Sequence, residues 1–285
     1  MLFTNNEEFC KIYIMKRKTY VYSSKKREDF LTVVNNQKEI ESDYKYEHTD
    51  LVFRFLSFFV YYCLAIPILR SISKINNRTK IINKKKVHKQ LKGTGFIIYS
   101  NHTMMSDGFI PAVFTCNPRR TYILSLGETL MVNKPFRYFL QLLGATPLPS
   151  DLHSGKNFLL FLKGRLNKNA AVAIYPEATI WPYYTGQRPI REGSFKYPRL
   201  FNKPAIFSCT TFRKPVGIFK KFLKPKVVIY LSDPIYPMRG ATEKEDEKRI
   251  EELYVQFIEK ITDLPNNYAA NNYVLDESEF EKFNS

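Results

Sequence analysis

From Gly95 onward, short apolar runs alternate with amphipathic ones. Strand-like runs cover 96–100, 121–126, 170–175, 204–210 and 226–232. Helix-like patterns cover 107–115, 135–143, 155–167 and 243–262. Such alternation predicts an α/β domain with a largely parallel sheet flanked by helices. Runs such as Phe96-Ile97-Ile98-Tyr99 and Ala171-Val172-Ala173-Ile174 are apolar at every position, the pattern of a strand covered on both faces. Pro135 at a helix start and Gly144 just past its end are the expected punctuation. Thr242 followed by Glu243, Glu245 and Asp246 suits an N-cap and the helix dipole.

Before this region the pattern changes. Residues 1–50 are polar, with β-like pieces at 20–22 and 30–34. Leu51 to Arg70 is strongly apolar, and its uncharged stretch runs from Phe55 to Leu69 with Pro67 near the end. Spanning a bilayer takes ~20 apolar residues, so this stretch predicts an interfacial or re-entrant helix; a buried core helix is the competing reading. The flank favours the membrane: Arg70, Lys74, Arg78, Lys80, Lys84-Lys85-Lys86 and Lys89 follow directly. A second basic-aromatic run spans 213–224. The Asn-rich, acidic end from Pro265 reads as a loosely docked tail. The expected organisation is therefore a polar extension (1–50), a membrane-associating segment (51–85), a catalytic domain (86–264) and a tail (265–285).

Charge narrows the partners. A formal net charge of +17 over 285 residues attracts anionic lipid surfaces or nucleic acid. No helix-turn-helix, zinc or RNA-recognition pattern supports nucleic acid, so an anionic membrane surface is the expected partner. Cys10, Cys63, Cys116 and Cys209 are scattered, which suggests neither a zinc site nor a disulfide framework and fits a reducing, cytoplasmic face. The first residues lack a charged stretch leading into an apolar one, so no signal peptide is expected. There is no Gly-x-Ser-x-Gly elbow and no phosphate-binding Gly-rich loop.

Chemistry concentrates after two of the strand-like runs. The first is followed by Asn101-His102-Thr103-Met104-Met105-Ser106-Asp107, the second by Pro176-Glu177-Ala178-Thr179. In open α/β sheets, sites form at the carboxyl ends of strands. A histidine with a nearby carboxylate makes a general base and its orienter: the carboxylate fixes the tautomer and stabilises the imidazolium. Neighbours on one helix face stand three or four apart, so a His-x4-Asp pair needs a turn to bring the side chains together.

These blocks resemble the glycerolipid acyltransferases of the 1-acylglycerol-3-phosphate acyltransferase (PlsC-like) superfamily. NHTMMSD resembles that family's His-x4-Asp block. YPEATIW resembles its Phe-Pro-Glu-Gly-Thr-Arg block, with Pro176, Glu177 and Thr179 matching. Residues 144–150 lie where the family has Gly-x-x-Phe-Ile-Asp-Arg, and Gly193-Ser194-Phe195 and Lys203-Pro204-Ala205-Ile206-Phe207 resemble its later segments. Together the blocks cover roughly residues 90–235. The resemblance implies direct acyl transfer from an acyl thioester, on coenzyme A or acyl carrier protein, to a lipid hydroxyl. His102 is then the base and Asp107 its orienter, with no cofactor. Glu177 and Thr179 would bind the acceptor or brace the loop. Ser106 is the only nearby candidate for a covalent route.

Two departures bear on the acceptor. The family's phosphate-associated arginines fall on Ser150 and Ile180 here, and neither side chain replaces a guanidinium fork. Either Arg188, Arg191 or Lys196 rebuilds the clamp, or the acceptor carries no phosphate there; the second is the expectation. A catalytically inactive lipid-binding relative and a basic nucleic-acid-binding protein are the alternative readings.

Overall fold

The computed structural model describes residues 17–22, 44–127, 134–218, 220 and 223–275. The β-like piece at 30–34 and parts of the 213–224 run lie outside them. Nine strands and six helices are named here: β1 Thr19–Tyr22, α1 Leu51–Asn77, β2 Lys80–Ile82, α2 Lys84–Gln90, β3 Phe96–Ser100, β4 Thr121–Ser125, α3 Lys134–Leu142, β5 Ala145–Pro147, α4 Leu152–Asn167, β6 Ala171–Ile174, α5 Tyr197–Phe201, β7 Ala205–Arg213, β8 Lys226–Leu231, α6 Glu243–Thr262 and β9 Asn272–Leu275.

The fold is α/β. The central sheet has the order β2-β8-β7-β3-β6-β4-β5. Every pairing is parallel except β7 with β8, which is antiparallel. The chain between β7 and β8 holds no crossover helix among the described residues, and only an antiparallel pair closes without one. β3 and β6, the two strands preceding the motif blocks, are direct neighbours.

Alternate residues of β3 feed two cores, as the strand period requires. Ile97 and Tyr99 join Phe158 and Leu162 of α4 and Ile250 and Tyr254 of α6 on one face. Phe96 and Ile98 join Val87 of α2, Val113, Phe114 and Ile229 on the other. Gly95 lets β3 start hard against α4: a Cβ there would lie 2.1 Å from the Leu166 carbonyl oxygen. Gly144, at φ +93°, needs both its left-handed backbone and its missing side chain, since a Cβ would meet the Thr121 carbonyl oxygen at 2.6 Å.

Several expectations change. The helix expected over 107–115 is a 3₁₀ turn at Met105–Phe109 followed by a π turn at Pro111–Thr115. Asp107 is occupied in capping and Pro111 lacks an N–H, so a regular α-helix does not form across them. β2 and β5 were not anticipated, because three-residue strands carry too little periodicity to read. β2 also places part of the 51–85 segment inside the central sheet. Residues 265–275 of the tail are docked rather than loose. Its strand β9 pairs in parallel with β1, and the Asn267 side chain bonds the Thr262 carbonyl and the Phe212 N–H.

α1 is longer than its uncharged stretch. It continues for 27 residues through a π-helical middle, Phe59–Ala65, and Pro67 does not end it. A proline one residue into a straight turn gives up only an N–H, and the π turn before it accommodates the ring. At ~1.5 Å per residue the helix is about 40 Å long, enough by length and composition to cross a bilayer. It is not a core helix: Leu51, Phe55, Phe58, Ile68 and Ile75 are all exposed. Its inner side touches the domain along its length. Ser57 Oγ donates to the Leu142 carbonyl (3.0 Å), Tyr61 Oη accepts from Thr121 N–H (3.0 Å), Ile66 packs with Ala112, and Arg70 donates to the Val113 carbonyl (2.9 Å).

The basic flank is less open than its sequence suggests. Lys84 turns inward to the Phe114 carbonyl, and burial and Arg70 hold its ammonium pKa down. Lys86 pairs with Asp233 at 2.7 Å. Lys85 and Lys89 stay exposed.

Candidate active site

The site is assembled where β3 and β6 end. After Ser100, the Asn101 amide clamps the neighbouring strand: its Oδ1 accepts from Thr210 N–H (2.7 Å) and its Nδ2 donates to the Thr210 carbonyl (3.0 Å). This fixes the chain just before His102. A tight turn follows, closed by Asp107. One carboxylate oxygen, Oδ2, accepts from the Thr103 N–H (2.5 Å), the Met104 N–H (2.7 Å) and the Thr103 hydroxyl (3.2 Å). Sequence spacing alone leaves the pair five residues apart; this cap folds the interval back on itself.

The same Oδ2 lies 3.5 Å from His102 Nδ1. Asp107 is 2% exposed and the imidazole 17%. That geometry turns Nδ1 toward the carboxylate and leaves Nε2 for a substrate proton. The separation exceeds an ordinary hydrogen bond, as catalytic contacts often do before substrate binds. The imidazole stacks on Tyr175, ring centroids 4.4 Å apart, and the Tyr175 hydroxyl donates to the Asp107 carbonyl. Burial and the nearby Asp107 charge push the Tyr175 pKa well above its usual value, so it remains a donor. The Ser106 hydroxyl, the candidate for a covalent route, contacts Met104 Sδ at 4.0 Å.

Behind the histidine lies the second motif. Glu177 Oε2 accepts the His102 N–H at 2.9 Å and forms a buried ion pair with Arg188, both side chains 2% exposed. Arg188 also donates to the carbonyls of His102 (3.2 Å) and Thr179 (2.7 Å) and to the Thr179 hydroxyl (3.3 Å). The loop thus grips the His102 backbone from behind. The Arg188 guanidinium, one of the candidates for a rebuilt phosphate clamp, is enclosed by its own loop. Of the two roles expected for Glu177 and Thr179, binding the acceptor or bracing the loop, these contacts are those of the second. Pro176 is buried, and its carbonyl takes the Arg191 N–H at 2.8 Å. Arg191 is tied in through its backbone, with its side chain exposed, as is that of Lys196.

Ala178 stands where the family block has Gly, and it adopts φ +56°, the left-handed region that favours glycine. Further contacts were not legible in the sequence. Trp181 N–H bonds the His102 carbonyl, and Trp181 stacks on Tyr273 of β9 at 5.3 Å. Tyr273 Oη and Asn271 Nδ2 both donate to the Pro182 carbonyl at 2.8 Å. Tyr22 of β1, Asn271, and Tyr273 of β9 therefore pack on the loop that holds His102. The available signals were weak: a tyrosine closing an otherwise aliphatic strand, and aromatic pairs in two short terminal strands. Among the described residues, no group of His, Cys, Asp and Glu is arranged to hold a metal ion.

Residues 78–210 match the family model described as Acyltransferase, the same stretch that carries the His-x4-Asp and Pro-Glu-x-Thr blocks. Among solved structures, the 1-acyl-sn-glycerophosphate (LPA) acyltransferase PlsC from Thermotoga maritima is similar at a TM-score of 0.49 and 15% identity, over 75% of this chain and 96% of that chain. No curated protein matches the sequence.

Proposed function

We propose that this chain is an acyltransferase that moves a fatty acyl group from acyl-CoA or acyl-ACP to a hydroxyl of a lipid acceptor at a membrane, in phospholipid or glycolipid synthesis; the match of residues 78–210 to the Acyltransferase family model supports this reading. One observation carries the reading: a partly exposed imidazole whose Nδ1 faces a buried carboxylate that three donors hold in place.

The acceptor hydroxyl attacks the thioester carbonyl carbon while His102 Nε2 takes its proton. Asp107 stabilises the imidazolium that forms. The tetrahedral intermediate collapses, the C–S bond breaks, and the departing thiolate takes the proton back from His102. The Thr103 and Met104 N–H groups are engaged by Asp107 and so do not serve the oxyanion.

The exposed apolar face of α1 supports membrane attachment. Because its opposite side contacts the domain from Ser57 to Arg70, a helix lying against one leaflet suits it better than one ringed by lipid. The reduced Cys63, Cys116 and Cys209 agree with a cytoplasmic face. With Ser150 and Ile180 in place of two arginines and Arg188 enclosed, the acceptor carries no phosphate at that position; a lysolipid, glycolipid or other hydroxylated lipid fits.

The test is labelled acyl thioester with an acceptor panel, read as acylated product. His102→Ala lowers transfer by about 10²–10⁴-fold without changing Tm, Asp107→Asn costs less, and the double variant loses no more than His102→Ala. Near-normal turnover in either single variant with wild-type Tm refutes the assignment. Loss of thioester with no acylated acceptor refutes lipid acyl transfer.

A further inference from the structure

A second polar feature lies away from His102. At the β4–β5 edge, toward the amino ends of those strands, a cavity of about 230 Å³ sits beneath the first turns of α1. This is several times the ~30 Å³ share of a water molecule. Its polar lining includes Arg54, Arg120, Arg165, His48 and Tyr46.

Three guanidiniums here meet one carboxylate. Arg165 pairs with Glu47 at 2.9 Å, and Glu47 is half exposed. Arg120 binds neutral groups only, the Ser57 hydroxyl (3.0 Å) and carbonyl (3.4 Å) and the Leu142 carbonyl (2.6 Å), and rests on the Tyr61 ring at 3.8 Å. Arg54 is exposed on α1. The other acidic groups nearby are engaged in caps: Asp50 accepts from Phe53 N–H (2.7 Å) and Asp151 from Ser154 N–H (2.8 Å).

Two buried polar atoms in the lining have no hydrogen-bond partner, the hydroxyl of Tyr46, itself 8% exposed, and Nε2 of His48. Buried polar atoms are usually paired, and these two line the same cavity as three guanidiniums. The lining offers donors: phenol O–H, imidazole N–H and guanidinium N–H. The complementary ligand accepts only and is anionic, which describes a phosphate. The remaining wall explains its source. Phe53, Phe58 and Tyr62 of α1 line the cavity, and Phe55 and Phe59 continue outward as exposed apolar surface.

We propose that this cavity holds the phosphomonoester headgroup of an anionic membrane lipid whose acyl tails lie along the apolar face of α1. The site is separate from the His102 centre and takes no part in acyl transfer. It fixes how the domain sits on the membrane, with a built pocket rather than a diffuse field of lysines.

Flotation of the full-length protein with phosphatidylcholine vesicles, with and without phosphatidic acid, tests this at constant ionic strength. Arg54→Gln/Arg165→Gln lowers affinity for the phosphatidic-acid vesicles about tenfold, since charge-assisted hydrogen bonds are the strong ones, and leaves binding to pure phosphatidylcholine unchanged. Lys85→Gln/Lys89→Gln removes the same charge elsewhere and has a smaller effect. Tyr46→Phe changes no charge, retains the fold by thermal melting, and still weakens the preference several-fold. An equal loss in the lysine control, or a wild-type preference in both Tyr46→Phe and the arginine double variant, overturns the proposal. Inorganic phosphate or glycerol 3-phosphate that raises Tm through Arg165 and Tyr46, with no vesicle preference to displace, assigns the cavity to a free anion and also overturns it.

Discussion

At the carboxyl ends of β3 and β6, the charges around His102 are balanced within the chain. Asp107 Oδ2 serves three donors, Glu177 and Arg188 neutralise each other, and the His102 carbonyl takes two N–H groups. At the amino ends of β4 and β5, guanidiniums outnumber carboxylates and two buried polar atoms stand unpaired. The first region sets each of its charges against an opposite one within the chain, which holds one imidazole in place. The second has more guanidiniums than carboxylates, which leaves room for an anion from outside. Charge balance thus separates the two regions more clearly than the residue types do, since both contain His, Tyr and Arg, and more clearly than unpaired buried atoms do, since both contain those as well.

The comparison is broken most severely at Arg188. Arg188→Ala strips a buried carboxylate of its partner and three carbonyl or hydroxyl contacts of their donor, and should cost about 3–5 kcal/mol in urea denaturation. A loss within experimental error of zero would mean that the His102 end is not closed by this pair. At the other end, the same kind of deletion should have the opposite sign. Tyr46→Phe removes a buried hydroxyl that has no partner, and in lipid-free buffer it should raise stability by roughly 1 kcal/mol. A clear destabilisation would show that the hydroxyl is already satisfied. The smallest effect sharpens the closed end: Ala178→Gly relieves a left-handed residue in the Glu177 loop and should gain up to about 1 kcal/mol with transfer activity preserved.

The legible part of the molecule is the part coded by local pattern. The five long strands, the helix over α4 and the capped α6 follow from apolar periodicity and from side chains such as Thr242, whose Oγ1 accepts the Glu245 N–H at 3.3 Å. The His102 and Asp107 pair was legible too, because a turn after a buried strand leaves few other geometries. Arg188 was misread. A lone arginine eleven residues past Glu177 looks like a surface cation until the loop closes over it. Tyr175, Asn101 and the β1–β9 pair escaped notice because their roles rest on partners far along the chain, such as Thr210 for Asn101.

The sequence by itself determined the α/β class, the order of its main elements, the pairing of His102 with Asp107, and the apolar character of α1. Each depends on neighbours within a few residues, where hydrophobic period and capping chemistry act. Only the tertiary structure decided which charges are enclosed and which are open: Lys84 and Arg188 inside, Arg54 and Arg191 outside. Burial is set by what the rest of the chain packs against a side chain, and a guanidinium looks the same in a sequence whether a carboxylate or water faces it.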